Sequence, residues 1–347
     1  MCNKVFFYIF ALISLQLMSC KSYQPVILSK QNIFENEKVD FRECHASCIH
    51  QIDKNKFIAT WFGGTHESNS DVCIWTSTFV NNKWSHPKKV ADGFLNNKLY
   101  PTWNPVFYQN HNSDTLFLYY KIGKNPRQWE GFYKYSLDQG NTWSNVVKLP
   151  QNILGPIKNK PLILPNGIIL SPSSTESLEE IWKAHVEISY DQAKSWNIVP
   201  INHEDTIQVI QPSLILHKNG NIQALCRSKE NTVMTSFSTN NGKNWLPWQK
   251  TNLNNPNSAT DAIRLKNGLL MIVYNPDISG KDWWEGRTKL YLATSKDGLK
   301  WNDVLQLENG QLGDEYSYPT IIQDDKKNIH ITYTWNRKTI KHVILKN

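Results

Sequence analysis

Four short strings bring reactive side chains together. Arg42-Glu43-Cys44-His45 crowds polar and reactive residues at the start of an extended run, where His45 can be an acid, a base or a buried structural imidazole. In Trp182-Lys183-Ala184-His185-Val186-Glu187 the alternation puts His185 and Glu187 on one side of a strand, as a site on an inner strand requires. The loop Trp61-Phe62-Gly63-Gly64-Thr65-His66-Glu67-Ser68-Asn69-Ser70-Asp71 has two glycines that let the backbone approach a ligand beside Glu67 and Asp71. A plainer reading leaves His66 and Glu67 as solvated loop residues. Asn255-Pro256-Asn257-Ser258-Ala259-Thr260-Asp261 is a polar loop opening a strand, and Asp261 there is either an acid or a group that orients Arg227. Carboxyl and imidazole groups so placed suit proton transfer.

Holding such groups in place takes a large body. The chain has 347 residues, 40% hydrophobic and 20% charged, which excludes a disulfide-stapled miniprotein and a disordered chain. Val5 to Met18 is an apolar run behind Lys4, too short to span a bilayer and shaped like an export signal. Leu17-Met18-Ser19-Cys20 resembles the lipobox of bacterial lipoproteins. The expected organisation is therefore a signal peptide over 1–19, a lipid-anchored tether over 20–24 and one domain over 25–347. That implies an exported lipoprotein of the periplasm or outer-membrane surface. The formal net charge is +8, yet only six residues are Arg and no basic cluster or recognition helix appears, so a nucleic-acid partner is not expected. Cys44, Cys48, Cys73 and Cys226 have no metal-ligand spacing and read as buried thiols, with one disulfide possible. No metal or cofactor is expected, and the chain reads as a monomer.

The positioning elements announce themselves as a repeat. Ser136-Leu137-Asp138-Gln139-Gly140-Asn141-Thr142-Trp143 matches S-x-D-x-G-x-T-W throughout. Ser189 to Trp196 has lost the Gly, Ser238 to Trp245 has Asn for Asp, Ser295 to Trp301 is one residue shorter, and Thr78 to Trp84 is a worn copy. Asp or Asn can cap a tight turn and Gly supplies positive φ, so each unit reads as a hairpin turn with Trp packed beneath it. The spacing of the five Trp residues averages about 54 residues, and β-rich runs such as Leu269 to Tyr274 fill the gaps. Four strands per unit is the spacing of propeller blades. The expectation is an all-β, six-bladed propeller in which the segment from Pro25 to Ser29 lends a strand to the last blade. Lys158 and Lys160 then fall where an inner strand lines the central channel and can neutralise an anionic sugar.

Repeated Asp boxes on six blades resemble the sialidase (neuraminidase) superfamily across nearly the whole chain after residue 24. Three arginines clamp the substrate carboxylate in that family, and the planar guanidinium fork suits this task. Phe41-Arg42 is similar to the first arginine motif without its Ile-Pro, Arg227 after Asn219-Gly220 to the second, and Arg287 before the last box to the third. Glu315-Tyr316-Ser317-Tyr318-Pro319 looks like the nucleophile segment, with Tyr316 in the reactive position, needing a base because a phenol ionises only near pH 10. The family's Glu partner falls on Gln211, which accepts no proton at neutral pH; Glu315, Glu187 and Glu176 are the replacements available. The loop carrying the family's acid falls on Glu67 and Asp71. Cys44-His45-Ala46-Ser47 and Asn257-Ser258 with Asp261 further resemble a sialidase-like bacterial subgroup.

The resemblance implies an exo-acting hydrolase releasing a terminal acidic sugar from a glycan. A second reading is elimination on a uronate glycan, with His45 or His185 as base or acid, which the Gln211 substitution favours. The third is a non-catalytic glycan binder, stacking sugars on Trp103, Trp129, Trp283 and Trp284.

Overall fold

Apolar and β-branched runs joined by tight turns pair with their immediate neighbours as antiparallel meanders, and there are six of them. The computed structural model describes residues 23–109, 113–201, 206–282 and 284–346. The expected signal peptide, Cys20 and Trp283 lie outside the described residues. Blade 1 begins with Glu43–Asp53, blade 2 with Thr102–Gln109, blade 3 with Leu162–Ile163, blade 4 with Val209–Leu216, blade 5 with Asp261–Arg264 and blade 6 with Tyr316–Gln323. The outermost strand of blade 6 is Val26–Asn32, paired antiparallel with Thr339–Lys346, so the two ends of the chain close the ring. The one helical element among the described residues is a single turn at Asn36–Lys38.

Burial follows from the radial plan. The inner strand Val209–Leu216 and its neighbour Ile222–Ser228 are buried almost throughout, whereas the outer strand Trp301–Asn309 alternates with solvent. The core is divided among the blade interfaces: Val106, Leu118 and Phe62 pack between blades 1 and 2, Val186 and Ala224 between blades 3 and 4, and Val273, Ile321 and Ile331 between blades 5 and 6.

The five boxes turn the third strand of blades 1 to 5 into the fourth; blade 6 needs none because its fourth strand comes from the N-terminal segment. In blade 2, Asp138 accepts from Thr142 N at 2.8 Å and Thr142 Oγ1 at 2.6 Å, while Ser136 Oγ accepts from Gly140 N at 2.7 Å. Where the second copy has lost its Gly, Ala193 is held at φ 70°, carrying a Cβ in the left-handed region. Trp245 and Trp301 each donate from Nε1 to the carbonyl of the box glycine at 3.0 Å. Cys44, Cys48, Cys73 and Cys226 are all free thiols, so the possible disulfide is absent.

Candidate active site

Four inner strands carry the same irregularity. Ala46, Asn104, Gln211 and Tyr318 have φ of 58°, 40°, 57° and 51°, each where the ladder to the second strand slips register. Asn257, at φ 57°, stands just ahead of the inner strand of blade 5. A non-glycine residue held there costs on the order of 1–3 kcal/mol and persists where its surroundings over-determine it. Asn104, Gln211 and Tyr318 each precede a proline, which has no N–H to lose from the ladder at the bulge.

Three of these strained residues meet at one side chain. Arg227 donates from Nη1 to Tyr318 Oη at 2.9 Å and to Gln211 Oε1 at 3.4 Å, and from Nη2 to Asn257 Oδ1 at 2.8 Å. Its guanidinium carbon also lies 5.0 Å from the centre of the Trp182 ring. Arg227 thus has uncharged hydrogen-bond partners throughout these contacts. It borders a cleft of about 1150 Å³ whose walls include Trp103, Trp182, Glu176, Glu315, Tyr318 and Arg337.

The floor toward blades 5 and 6 is an ion network. Glu315 accepts from Arg337 Nε at 2.7 Å, from Arg287 Nη1 at 3.2 Å and from Ser317 Oγ at 2.6 Å. Arg337 Nη1 reaches across to Glu67 of blade 1 at 2.5 Å. Burial pushes the Glu315 carboxyl up, but the guanidinium groups of Arg337 and Arg287, with the Ser317 hydroxyl, outweigh it and hold the group well below the ordinary carboxylate range. His45 is buried under the Tyr318 ring, with centroids 4.2 Å apart, and its Nδ1 has no hydrogen-bond partner. Burial first, then Arg337, drives its pKa well below the ordinary histidine value despite Glu315, so the ring is neutral.

Arg227, Arg287, Glu315, Glu67, Gln211 and His45 are therefore brought together around the cleft. Tyr316 and Arg42 are not, and both expectations need correction. The bulge at Tyr318 and Pro319 breaks the strand's alternation, so Tyr318 meets Arg227 while Tyr316 packs against Trp335 and bonds Asp314. Burial, then Asp314, pushes the Tyr316 phenol up to about 12. Arg42 is exposed and outside the cleft, and the guanidinium facing Glu67 and Glu315 instead is Arg337, from the tight turn after Trp335.

Other expected site residues serve the scaffold. Asp71 turns away from the cleft to cap its own loop, accepting from Thr65 N at 2.8 Å and Thr65 Oγ1 at 2.6 Å. Glu187 fastens a loop, accepting from Leu154 N at 2.7 Å and Gly155 N at 2.8 Å, with His185 Nε2 3.6 Å away. Lys158 and Asp261 are buried at the axis with the half-buried Lys160 beside them. Asp261 pairs with Lys160 and accepts from Ser213 Oγ at 3.0 Å and Ile321 N at 2.9 Å, while Lys158 donates to the carbonyls of Thr260 and Pro319. Burial brings Lys158 down to about 7. Trp103 and Trp284 line the cleft, but Trp129 is buried against Trp103.

The reading of the sequence missed Arg337 and the cleft-wall position of Glu176. The one available signal for Arg337 was scarcity, since it is one of six arginines.

Comparison with known proteins is consistent with this plan. A protein of unknown function from Dyadobacter fermentans superimposes with a TM-score of 0.75 at 15% identity, covering 93% of this chain and 99% of that one. The NanB sialidase of Streptococcus pneumoniae gives 0.72 at 11% identity over 91% and 70% of the two chains. Trypanosoma rangeli sialidase gives 0.69 at 14% over 88% and 55%. At these identities the likeness is one of fold. No curated protein matches the sequence. The family model for the BNR repeat-like domain matches residues 55–331, and the chain belongs to that family as a sialidase-like six-bladed propeller.

Proposed function

We propose that the protein is a glycoside hydrolase of sialidase type that releases a terminal acidic sugar, working at the cell surface through an anchor on Cys20. The observation that carries this reading is the meeting of Arg227, Arg337, Glu315 and Tyr318, delivered by blades 4 and 6, on one cleft, with Arg287 of blade 5 buried behind Glu315. Tyr318 is the nucleophile. Negative charge developing on its Oη is met by the Arg227 Nη1–H already pointing at that oxygen. The His45 ring, packed against the phenol, fixes the orientation of Tyr318. Arg287 and Arg337 are already paired with Glu315 and Glu67, so the sugar carboxylate is anchored chiefly by Arg227, whose partners are uncharged. The clamp therefore departs from the three-arginine arrangement that the resemblance implied.

Release of 4-nitrophenol from an aryl sialoside by the full chain tests the reading. Turnover that is abolished in Tyr318→Phe supports it. No turnover on sialosides or on aryl glycosides of uronic acids sinks it.

One observation favours elimination as a second reading: Gln211 stands where a carboxylate base would be, and His45 touches the ring of Tyr318. A uronate polymer whose cleavage creates the ultraviolet absorbance of an unsaturated product, with no reducing acidic monosaccharide released by water, would replace hydrolysis with this chemistry.

A further inference from the structure

The hydrolytic reading names no proton donor for the departing oxygen. Glu67 and Glu315 are each bonded to guanidinium groups, and Glu180 is paired with Arg127 at the rim. Asp314 accepts from Gln311 N at 2.8 Å and Asn336 Nδ2 at 2.9 Å. Carboxylates tied this way are poor acids. Asp71, expected together with Glu67 as the candidate for the role, accepts twice from Thr65 in its own loop.

Glu176 differs in its setting. It ends the second strand of blade 3, directly opposite Trp182 in the ladder, and lines the cleft with that indole. Arg227 joins this wall to the phenol, lying over the Trp182 ring at 5.0 Å and bonding Tyr318 Oη at 2.9 Å. A carboxyl group against an indole, a phenol beyond, and a guanidinium linking the two make a wall that can hold one sugar ring between acid and nucleophile.

We propose that Glu176 is the catalytic acid of the cleft, protonating the glycosidic oxygen as it leaves and then accepting a proton from the attacking water. The assignment rests on the hydrolytic reading above. In the first step Tyr318 Oη bonds the anomeric carbon and releases its proton to water in the cleft; the carbon–oxygen bond to the aglycone breaks, its electron pair staying on oxygen, which takes the proton of Glu176. In the second step water bonds the same carbon and gives a proton to the Glu176 carboxylate, while the carbon–phenol bond returns its pair to Oη, which regains a proton from water in the cleft. Net consumption is one water, and no other reactant is needed. Burial pushes the Glu176 carboxyl above its ordinary value, against the opposing pull of Arg227, Arg127, Lys229 and a bond with Trp182. Burial thus favours the protonated form that an acid must start from.

The test compares phenyl and 4-nitrophenyl sialosides on the full chain. A good leaving group needs little protonation, so Glu176→Gln is expected to lose about 10²–10⁴-fold in kcat on the phenyl glycoside and under about tenfold in the bond-breaking burst on the nitrophenyl one. The alkaline limb of the pH profile disappears with it. Glu176→Asp, which keeps an acid, retains that limb, and unchanged Tm in both variants confirms intact folds. An equal fall on both glycosides, or an alkaline limb that survives in Glu176→Gln, overturns the assignment while leaving hydrolysis standing. A wild-type protein inactive on both glycosides overturns the hydrolytic reading and the assignment with it.

Discussion

Arg227 donates to the hydroxyl of Tyr318 at 2.9 Å, although the two residues are 91 positions apart and sit on different blades. Each of them is held by a neighbouring irregularity: Tyr318 by its own left-handed backbone, Arg227 by the left-handed Gln211 and Asn257 on either side. The pair is a product of the ring's bulges rather than of either strand alone.

Two tyrosines two positions apart should behave oppositely. Tyr318→Phe is expected to lower kcat on an aryl sialoside by on the order of 10³ or more, as loss of a nucleophile does. Tyr316→Phe should stay within about threefold, since its phenol bonds only Asp314 among the named site groups and lies outside the cleft. Steady-state kinetics of the two variants decides the assignment, and equal losses would count against it.

The arginines divide in the same way. Arg227→Lys keeps the charge but loses the planar fork, so KM for a free-carboxylate sugar should rise about 10- to 100-fold, in line with ~1.5–3 kcal/mol for a charge-assisted bond. The methyl ester of the same sugar should feel the change far less. Arg42→Met should alter neither, because that side chain is exposed and away from the cleft. Calorimetric binding of acid and ester to each variant gives the comparison.

Stability should fall with acid through a buried histidine pair. His330 Nδ1 and His342 Nε2 are 3.0 Å apart, with His330 Nε2 3.3 Å from Asp324 and the Phe57 ring stacked on His330. Burial lowers both histidines, His342 furthest, although Asp324 pulls His330 upward. Histidines in the unfolded chain take up protons below about pH 6.5, where the folded ones do not. The contribution is therefore complete above that pH and drains away as pH falls toward the folded values. Thermal melts from pH 7 to 5 should show a steeper decline in wild type than in His342→Gln; parallel declines would refute the idea.

Asp261→Ala should destabilise without entering the cleft. It removes the carboxylate shared by Lys160, Ser213, Thr320 and Ile321 N and leaves two lysines at the axis without it, a loss of about 3–5 kcal/mol for a broken buried pair. Urea unfolding measures it, and residual folded enzyme should keep its KM.

The repeat was legible because each box is local: capping hydroxyls, a turn residue with positive φ and a Trp lie within eight positions, so the chain states the blade count by itself. Arg227 and Arg287 were legible from the strands and turns beside them. Tyr316 was favoured over Tyr318 by its place in the segment that resembles the family's nucleophile motif, and only pairing with Thr332 and Thr334 of the next strand reveals the slip between the two. Arg337 and Glu176 owe their positions to blades packing across the axis, a long-range fact with no local signature. Gln211 was correctly placed beside the arginine yet had no visible role until its carbonyl oxygen was found on Arg227.

The joining of Val26–Asn32 to Thr339–Lys346 has a temporal side. A chain emerging from its N-terminus makes Val26–Asn32 before the other described strands and Thr339–Lys346 after them, so the circle cannot lock until that later strand has been made. Moving the seam by circular permutation, so that the opening strand and its mate are made in succession, should speed closure while leaving the finished disc unchanged.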